Sequence, residues 1–386
     1  MIFKSRKRHQ TILQMIMYND RRNKFDFASA TDIVTPSVIC GLGIAWSTFL
    51  LKLRSVVVMR SLTFILLPIM CLSLSGCSRS DDSFISKKDI LLDTVVSISI
   101  YDESMTDELE AAMKLCQKYD ELFSPSNENS DVYKMNHRAE NVYTPEPEVL
   151  DVIETALEYA RISDGAYDIT IAPVVSLWDF KSEAPRVPSD SELAEAVSKV
   201  DYRNVHIEGE TLVFANDDVQ IDLGGIAKGY IADKIAEYLV ESGVESALIN
   251  LGGNVLCVGT KPSGKNFNIA IEDPLVDGSV IGTVEIDGLS VVSSGTYERY
   301  FENDGKRYHH ILDPKTGYPY ENGLAQTSII GPSSCICDAL STTCFALGGE
   351  KGMELIDSME GYYAIFVDED GNISYSENAV GKLILQ

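Results

Sequence analysis

The chain has 386 residues, 58 acidic against 32 basic side chains, and a formal net charge of −26. That balance excludes general binding to nucleic acid, whose phosphates it would repel. An anionic ligand would need local donors or a divalent cation. The length allows two average domains, or one large domain with extensions.

The first 58 residues carry a basic cluster (Lys4, Arg6, Lys7, Arg8, Arg21, Arg22, Lys24) that contrasts with the acidic remainder. A second beginning follows: Met59-Arg60, an apolar run from Leu62 to Leu74, then Leu74-Ser75-Gly76-Cys77. The run is short for a membrane span, and small residues before a Cys resemble a bacterial lipoprotein cleavage site. Residues 59–77 are therefore expected to be a lipoprotein signal segment. The mature chain would start at a lipidated Cys77 and sit on the extracytoplasmic face of the cell membrane. A plain transmembrane anchor is the alternative, and either would export the rest. Residues 1–58 are then either a basic extension, with Val38–Leu51 as a second membrane contact, or a mis-assigned start. Residues 78–90 read as a polar tether and 91–386 as the folded domain. Of the later cysteines, Cys116, Cys257, Cys335, Cys337 and Cys344 show no zinc-ligand spacing. They read as small buried apolar residues.

Asp89–Tyr101 alternates Val and Ile and predicts a strand. From Thr106 a helix is expected, since Leu109, Ala112, Met113 and Cys116 recur at helical spacing. Residues 123–136 read as loop. Thr144-Pro145 predicts an N-cap followed by Pro at the first helical position, and Asp164-Gly165 stops that helix. In Gly165–Phe180, Tyr167, Asp168 and Trp178 could line a wall for a planar ring, or pack as aromatic core. A helix over 192–200 and a hairpin joining 204–207 to 211–214 follow.

Val219–Leu223 predicts a strand running into Gly224-Gly225 and a helix over 226–242. A strand, a glycine pair and a helix start bring free backbone N–H groups and a positive dipole end together. Lys228 lies in that first turn, so the stretch can hold a pyrophosphate. Close packing alone also calls for glycine. A strand at Ala247–Leu251 leads to Gly252-Gly253-Asn254, where backbone can approach a ligand. Strands at 267–271, 284–286 and 290–293 follow, with Glu272-Asp273-Pro274 as a turn. Near the end, 326–330 predicts a strand and 338–347 a helix. Asp338 and Thr342, four apart, share one helical face. A carboxylate and a hydroxyl so placed suit Mg²⁺; alternatively Asp338 caps the helix.

The stretch from Ser293 to Pro319, SSGTYERYFENDGKRYHHILDPKTGYP, concentrates polar, aromatic and charged residues. Asn303-Asp304-Gly305 is a hairpin turn signal that would fold 297–301 beside 308–312. Read alone it is a decorated surface hairpin or a reactive one. With IDLGGIAKGY (221–230) and GAYDITIAPVVSLWDF (165–180), it resembles the ApbE family of FAD:protein FMN transferases. The resemblance runs from about residue 91 to 347, with the motifs in order. Asp93 stands where the family has Gly, and Thr296 where it usually has Asp.

The resemblance implies an α+β fold of mixed sheets and helices in two intertwined halves, with the flavin site between them. It implies a Mg²⁺-dependent transfer of FMN from FAD onto a Thr hydroxyl of an exported target protein, with release of AMP. Targets would be Rnf- or Nqr-like subunits or flavin-bearing reductases. The FAD-binding positions would be Thr94, Tyr167, Asp168, Lys228, Gly252, Gly253, Asn254, Glu272, Asp273, Ser294, Gly295, Tyr297, Arg299 and His310. The metal would take Asp338, Thr342 and the Gly225 carbonyl. His310 is the candidate for proton transfer, with Lys228 assisting; His309 would face the other way on a strand, and which of the two faces the site stays open. Two rival readings are an FAD pyrophosphatase giving FMN and AMP, and a flavin-binding lipoprotein without catalysis. If Cys77 is the acylated residue, Cys77→Ser should leave unlipidated precursor, while wild-type protein partitions with membranes and starts at Cys77. Soluble protein starting at Met1 would contradict this.

Overall fold

Residues 85–100 build two strands, the second of them (94–100) alternating apolar and small polar side chains towards its end. In the computed structural model, which describes residues 82–379, β1 (Ile85–Leu91) pairs antiparallel with β2 (Thr94–Ile100). Leu92 and Asp93 make the two-residue turn, both at positive φ (54° and 56°), as a tight hairpin requires. The sequence expectation of one strand from Asp89 and a tether to residue 90 is corrected here: β1 is part of the sheet. Val96, Ile98 and Ile100 are fully buried on one side of β2, as a period of two dictates. Cys77 and the expected signal segment lie outside the described residues. Among the described residues no helix is long and apolar enough to cross a membrane.

The chain then leaves the sheet through α1 (Thr106–Phe123), α2 (Asp131–Asn136), β3 (Val142–Tyr143), α3 (Pro147–Ile162), α4 (Ala172–Trp178), α5 (Asp190–Val197), β4 (Val205–Glu208), β5 (Thr211–Phe214) and α6 (Ala227–Glu241). It returns through β6 (Ala247–Leu251) and β7 (Asn254–Val258), followed by β8 (Phe267–Glu272), β9 (Val280–Ile286), β10 (Ser290–Gly295), β11 (Tyr300–Asn303), β12 (Lys306–His309) and β13 (Leu324–Gly331). The last elements are α7 (Ser334–Leu347), α8 (Gly349–Asp357), β14 (Tyr363–Asp368) and β15 (Ile373–Tyr375). The main sheet has eight strands in the order β1-β2-β6-β7-β10-β13-β14-β15, each neighbouring pair antiparallel. The two halves implied by the family resemblance are thus interleaved through one continuous sheet.

That sheet is buried on both faces, and successive residues choose between them. Val292, Ile329 and Phe366 join the large core under α1, α3, α6 and α7. Their neighbours Val291, Ile330 and Ile365 join a second cluster. There the β8–β9 hairpin covers the opposite face with Phe267, Ile269, Ile271, Val284 and Ile286. A third cluster, around fully buried Trp178, ties α4 and α5 to Phe301 and Tyr308 of the β11–β12 hairpin. Trp178 donates its indole N–H to the Gly317 carbonyl at 2.7 Å, so it is core packing and not a ring-binding wall.

Several local expectations shift for identifiable reasons. Residues 131–136, expected as loop, form α2 because Ser130 caps it through the Tyr133 N–H. The helix expected at Thr144-Pro145 starts at Pro147, the proline at its first position. Residues 219–223, expected as a strand, belong to no sheet: the Asn136 side chain both donates to the Ile221 carbonyl (2.8 Å) and accepts its N–H (2.7 Å). Arg138 donates to the Val219 carbonyl. Side chains satisfy the backbone that a neighbouring strand would otherwise pair.

The helix crossing that positions the site is α6 on α7. A Cβ on Gly229 would lie 2.2 Å from the Ser334 carbonyl oxygen and 2.7 Å from Asp338 Cβ. Gly229→Ala should therefore force the helices apart and destabilise the protein by about 1–3 kcal/mol, read as a lowered melting temperature. A variant melting with the wild type would show that the crossing is not close-packed there.

Candidate functional site

The site grows from the N-terminus of α6 and the second turn of α7. Each helix start is satisfied by a carboxylate from the other. Asp338 of α7 accepts the Gly229 N–H at 2.8 Å. Asp233 of α6 accepts the Ser334 and Cys335 N–H groups (2.7 and 2.9 Å) and the Ser333 hydroxyl. The cap of α7 itself is Ser333, which accepts from the Ile336 N–H. The helix begins four residues earlier than expected, so Asp338 does not cap its own helix.

Asp338 is 3% exposed. Burial pushes its pKa up, while Lys228 and the Gly229 N–H pull it down. Thr342, one turn on, lies against the glycine pair: a Cβ on Gly225 would be 3.2 Å from Thr342 Oγ1 and 3.3 Å from Tyr167 Cε2. Ser294 on β10 approaches the same hydroxyl at 3.4 Å and Ser341 at 2.7 Å. Two of the three positions expected to hold a metal, Gly225 and Thr342, thus lie together, and Asp338 stands one turn before Thr342 on α7. They offer a carboxylate, a hydroxyl and a backbone carbonyl, an all-oxygen set suited to a hard cation. Among the described residues no group of three His, Cys, Asp or Glu could hold a metal. Asp338 would supply a carboxylate, leaving positions for water and phosphate oxygens, as Mg²⁺ favours.

The β11–β12 hairpin faces this crossing. Asp304 and Gly305 make its turn at positive φ (50° and 80°), and Tyr300 pairs with His309. Pairing continues one step past β12, where the His310 N–H donates to the Arg299 carbonyl at 3.0 Å. The two histidines then diverge, as strand neighbours must. His309 is buried; its Nε2 lies 3.0 Å from the Tyr320 carbonyl and its Nδ1 accepts the Ile311 N–H at 3.3 Å. Its ring meets Phe345 edge-on. With both nitrogens engaged, it is a packing residue. His310 Nδ1 is buried without a hydrogen-bond partner. Burial first, then the charges of Arg299, His309 and Lys228, lower the His310 pKa to about 3. The expectation of a histidine titrating near neutrality is therefore corrected: in the free protein His310 is a neutral imidazole.

The remaining expected positions divide. Tyr297 folds over Gly295, where a Cβ would meet its ring at 2.3 Å, and burial, then the Glu298 and Glu272 charges, push its hydroxyl pKa up. Gly252, at φ 66°, is pressed on the Thr94 side chain, 2.4 Å from a built Cβ, so no side chain fits there. Gly253, at φ 98°, borders open space. Asn254 is buried; its Oδ1 accepts from Ser334 and its Nδ2 has no partner. Asp273 caps its own turn through the Leu275 and Val276 N–H groups.

Asp168 is corrected outright. Its oxygens accept from the Thr170 N–H and hydroxyl and from the Tyr202 N–H, at 2.7–2.8 Å, so it is a buried cap and not a ligand group. The sequence reading omitted Glu298 from the site, although the Tyr-Glu-Arg run contained it. Its Oε1 accepts the Gly295 N–H at 3.2 Å, and Lys228, Arg299 and Asp338 all act on it. A separate groove between α4 and α5, lined by Pro173, Leu177, Glu192 and Lys199, holds none of these groups.

Imidazole NMR of the free protein should show His310 unprotonated from about pH 8 down to about pH 5, since a lowered pKa keeps the ring neutral until far below the usual histidine range. A midpoint near 6.5 would contradict the burial argument.

The sequence profile of the ApbE family matches residues 92–366. A FAD:protein FMN transferase of Treponema pallidum is 33% identical over 323 residues, covering 77% of this chain and 88% of the relative. One from Klebsiella pneumoniae is 35% identical over 303 residues, covering 77% and 93%. The crystal structure of an ApbE protein from Thermotoga maritima superposes with a TM-score of 0.71 at 33% identity, over 77% of this chain and 98% of that one. The flavin transferase ApbE from Vibrio cholerae gives 0.69 at 26% identity, over 76% and 97%. Motif order and the overall fold agree with these matches, and the chain belongs to the ApbE family.

Proposed function

We propose that this chain is a Mg²⁺-dependent FAD:protein FMN transferase. It moves FMN from FAD onto a threonine hydroxyl of an exported protein. The observation that carries the reading is the meeting of Asp338, Thr342 and the Gly225 backbone at the start of α6, with Lys228 and His310 beside them. When bound, Mg²⁺ supplies charge neutralisation for the pyrophosphate. Asp338, Thr342 and the Gly225 carbonyl would hold it.

The chain's own groups do the rest. Lys228 and the positive dipole end of α6 would bind and orient the pyrophosphate. Its anionic charge offsets the two cations that depress His310, so imidazole basicity rises as substrate binds. His310 takes the proton from the acceptor hydroxyl as the new oxygen–phosphorus bond forms to the FMN-side phosphorus. The bond to the AMP phosphate oxygen breaks, and AMP leaves. Positioning and charge stabilisation dominate such transfers. Rnf- or Nqr-like subunits or flavin-bearing reductases on the same side of the membrane would be the acceptors, met by a protein tethered through Cys77.

The direct test incubates the protein with FAD, Mg²⁺ and a candidate acceptor domain, then weighs the acceptor. A mass gain of one FMN is expected; free FMN with an unmodified acceptor would instead favour a pyrophosphatase. Chelation should abolish transfer. Asp338→Ala should lose turnover and loosen Mg²⁺-dependent FAD binding. His310→Ala should lower turnover on the order of a hundredfold and leave FAD affinity nearly intact, since proton transfer matters mainly in the transition state. His309→Ala should reduce stability and not chemistry. If His309→Ala were inactive and His310→Ala active, the roles given to the two rings would be overturned.

A further inference from the structure

Tyr167 carries an oxygen that the mechanism above leaves unused. Its ring is held rigidly: the backbone N–H donates to Ser163 Oγ at 3.0 Å, and the ring edge lies against Gly225. The residue is 6% exposed. Yet its hydroxyl is buried with no hydrogen-bond partner. A buried hydroxyl without a partner is disfavoured and calls for an explanation, such as a ligand that completes it. A tyrosine hydroxyl carries its proton at neutral pH and is available as a donor.

We infer that the Tyr167 hydroxyl is a positioning donor for the metal–pyrophosphate site, completing its hydrogen bond on an oxygen seated beside Gly225 and Asp338. That oxygen belongs either to a water of the Mg²⁺ shell or to a phosphate of FAD. The assignment rests on the metal reading of Asp338, Thr342 and Gly225. It differs from a ring-wall role in one respect: the hydroxyl matters, and the ring alone does not suffice. A donor of this kind fixes the bound anion without touching the acceptor hydroxyl, so it acts on affinity and orientation.

Tyr167→Phe tests it, because the ring and its contact with Gly225 remain. The free variant should melt slightly above the wild type, since an unpaired buried hydroxyl is gone. Its affinity for Mg²⁺ alone, or for FAD in the presence of Mg²⁺, should fall about tenfold, the usual effect of losing a hydrogen bond to a charged partner. The stabilisation that FAD and Mg²⁺ together give to melting should shrink in step. Loss in the Mg²⁺-only titration identifies a metal-bound water as the partner; loss only with FAD identifies a phosphate oxygen. Unchanged affinity in both titrations would overturn the proposal and make Tyr167 a packing residue. Asp338→Asn run in parallel separates the two levels. If Asp338→Asn weakens Mg²⁺ binding while Tyr167→Phe does not, only the tyrosine role fails. If neither does, the metal reading fails and the tyrosine role with it.

Discussion

The hydrogen bond from the Gly229 N–H to the Asp338 carboxylate is the contact on which the site depends. It exists only because Gly229 has no side chain. The space a methyl would occupy is filled by the Ser334 carbonyl and by Asp338 itself. Two helices distant in sequence are thereby brought to backbone contact, each start satisfied by the other's aspartate. A buried carboxylate is costly unless hydrogen-bonded and compensated. The helix dipole, one N–H donor and Lys228 supply part of that compensation, and a bound cation would supply more.

The same economy of charge explains the hairpin opposite. Burial first, and then the cations Arg299 and Lys228, hold the His310 imidazole neutral. An anionic substrate placed among them reverses the balance. Asp338, Tyr167 and His310 are thus three groups whose environments are incomplete in the same small region: a desolvated acid, an unpaired hydroxyl and an unpaired ring nitrogen. Groups strained in this way cluster where ligands act. The five described cysteines are unpaired and buried, and ion pairs such as Lys181 with Asp93 lie at the surface, where they contribute little to stability.

Much was legible along the chain because it depends on near neighbours. The turn at Asp304-Gly305, the hairpin around 209 and the stop at Gly165 follow from backbone preferences of single residues. The β6 strand and the helices at 106 and 227 follow from periodicity. The divergence of His309 and His310 follows from strand alternation, although its direction does not. Local reading failed where a distant side chain replaced a local partner. Asn136 imitates a strand beside Ile221, and Asp168 looks like a free acid until Tyr202 arrives from 34 residues away.

The sequence by itself determined the family, the oxygen-rich pair at Asp338 and Thr342, and the candidate histidine pair, because each is written in residues within a turn or two of one another. Only the tertiary structure decided that Asp338 serves α6 and not its own helix. It also decided that His310 is neutral and His309 is packing, that Gly252 answers to Thr94, and that Tyr167 ends in an unpaired hydroxyl. The physical reason is the same in each case. Burial and partner geometry set the state of a polar group, and both are properties of contacts between segments far apart in the chain.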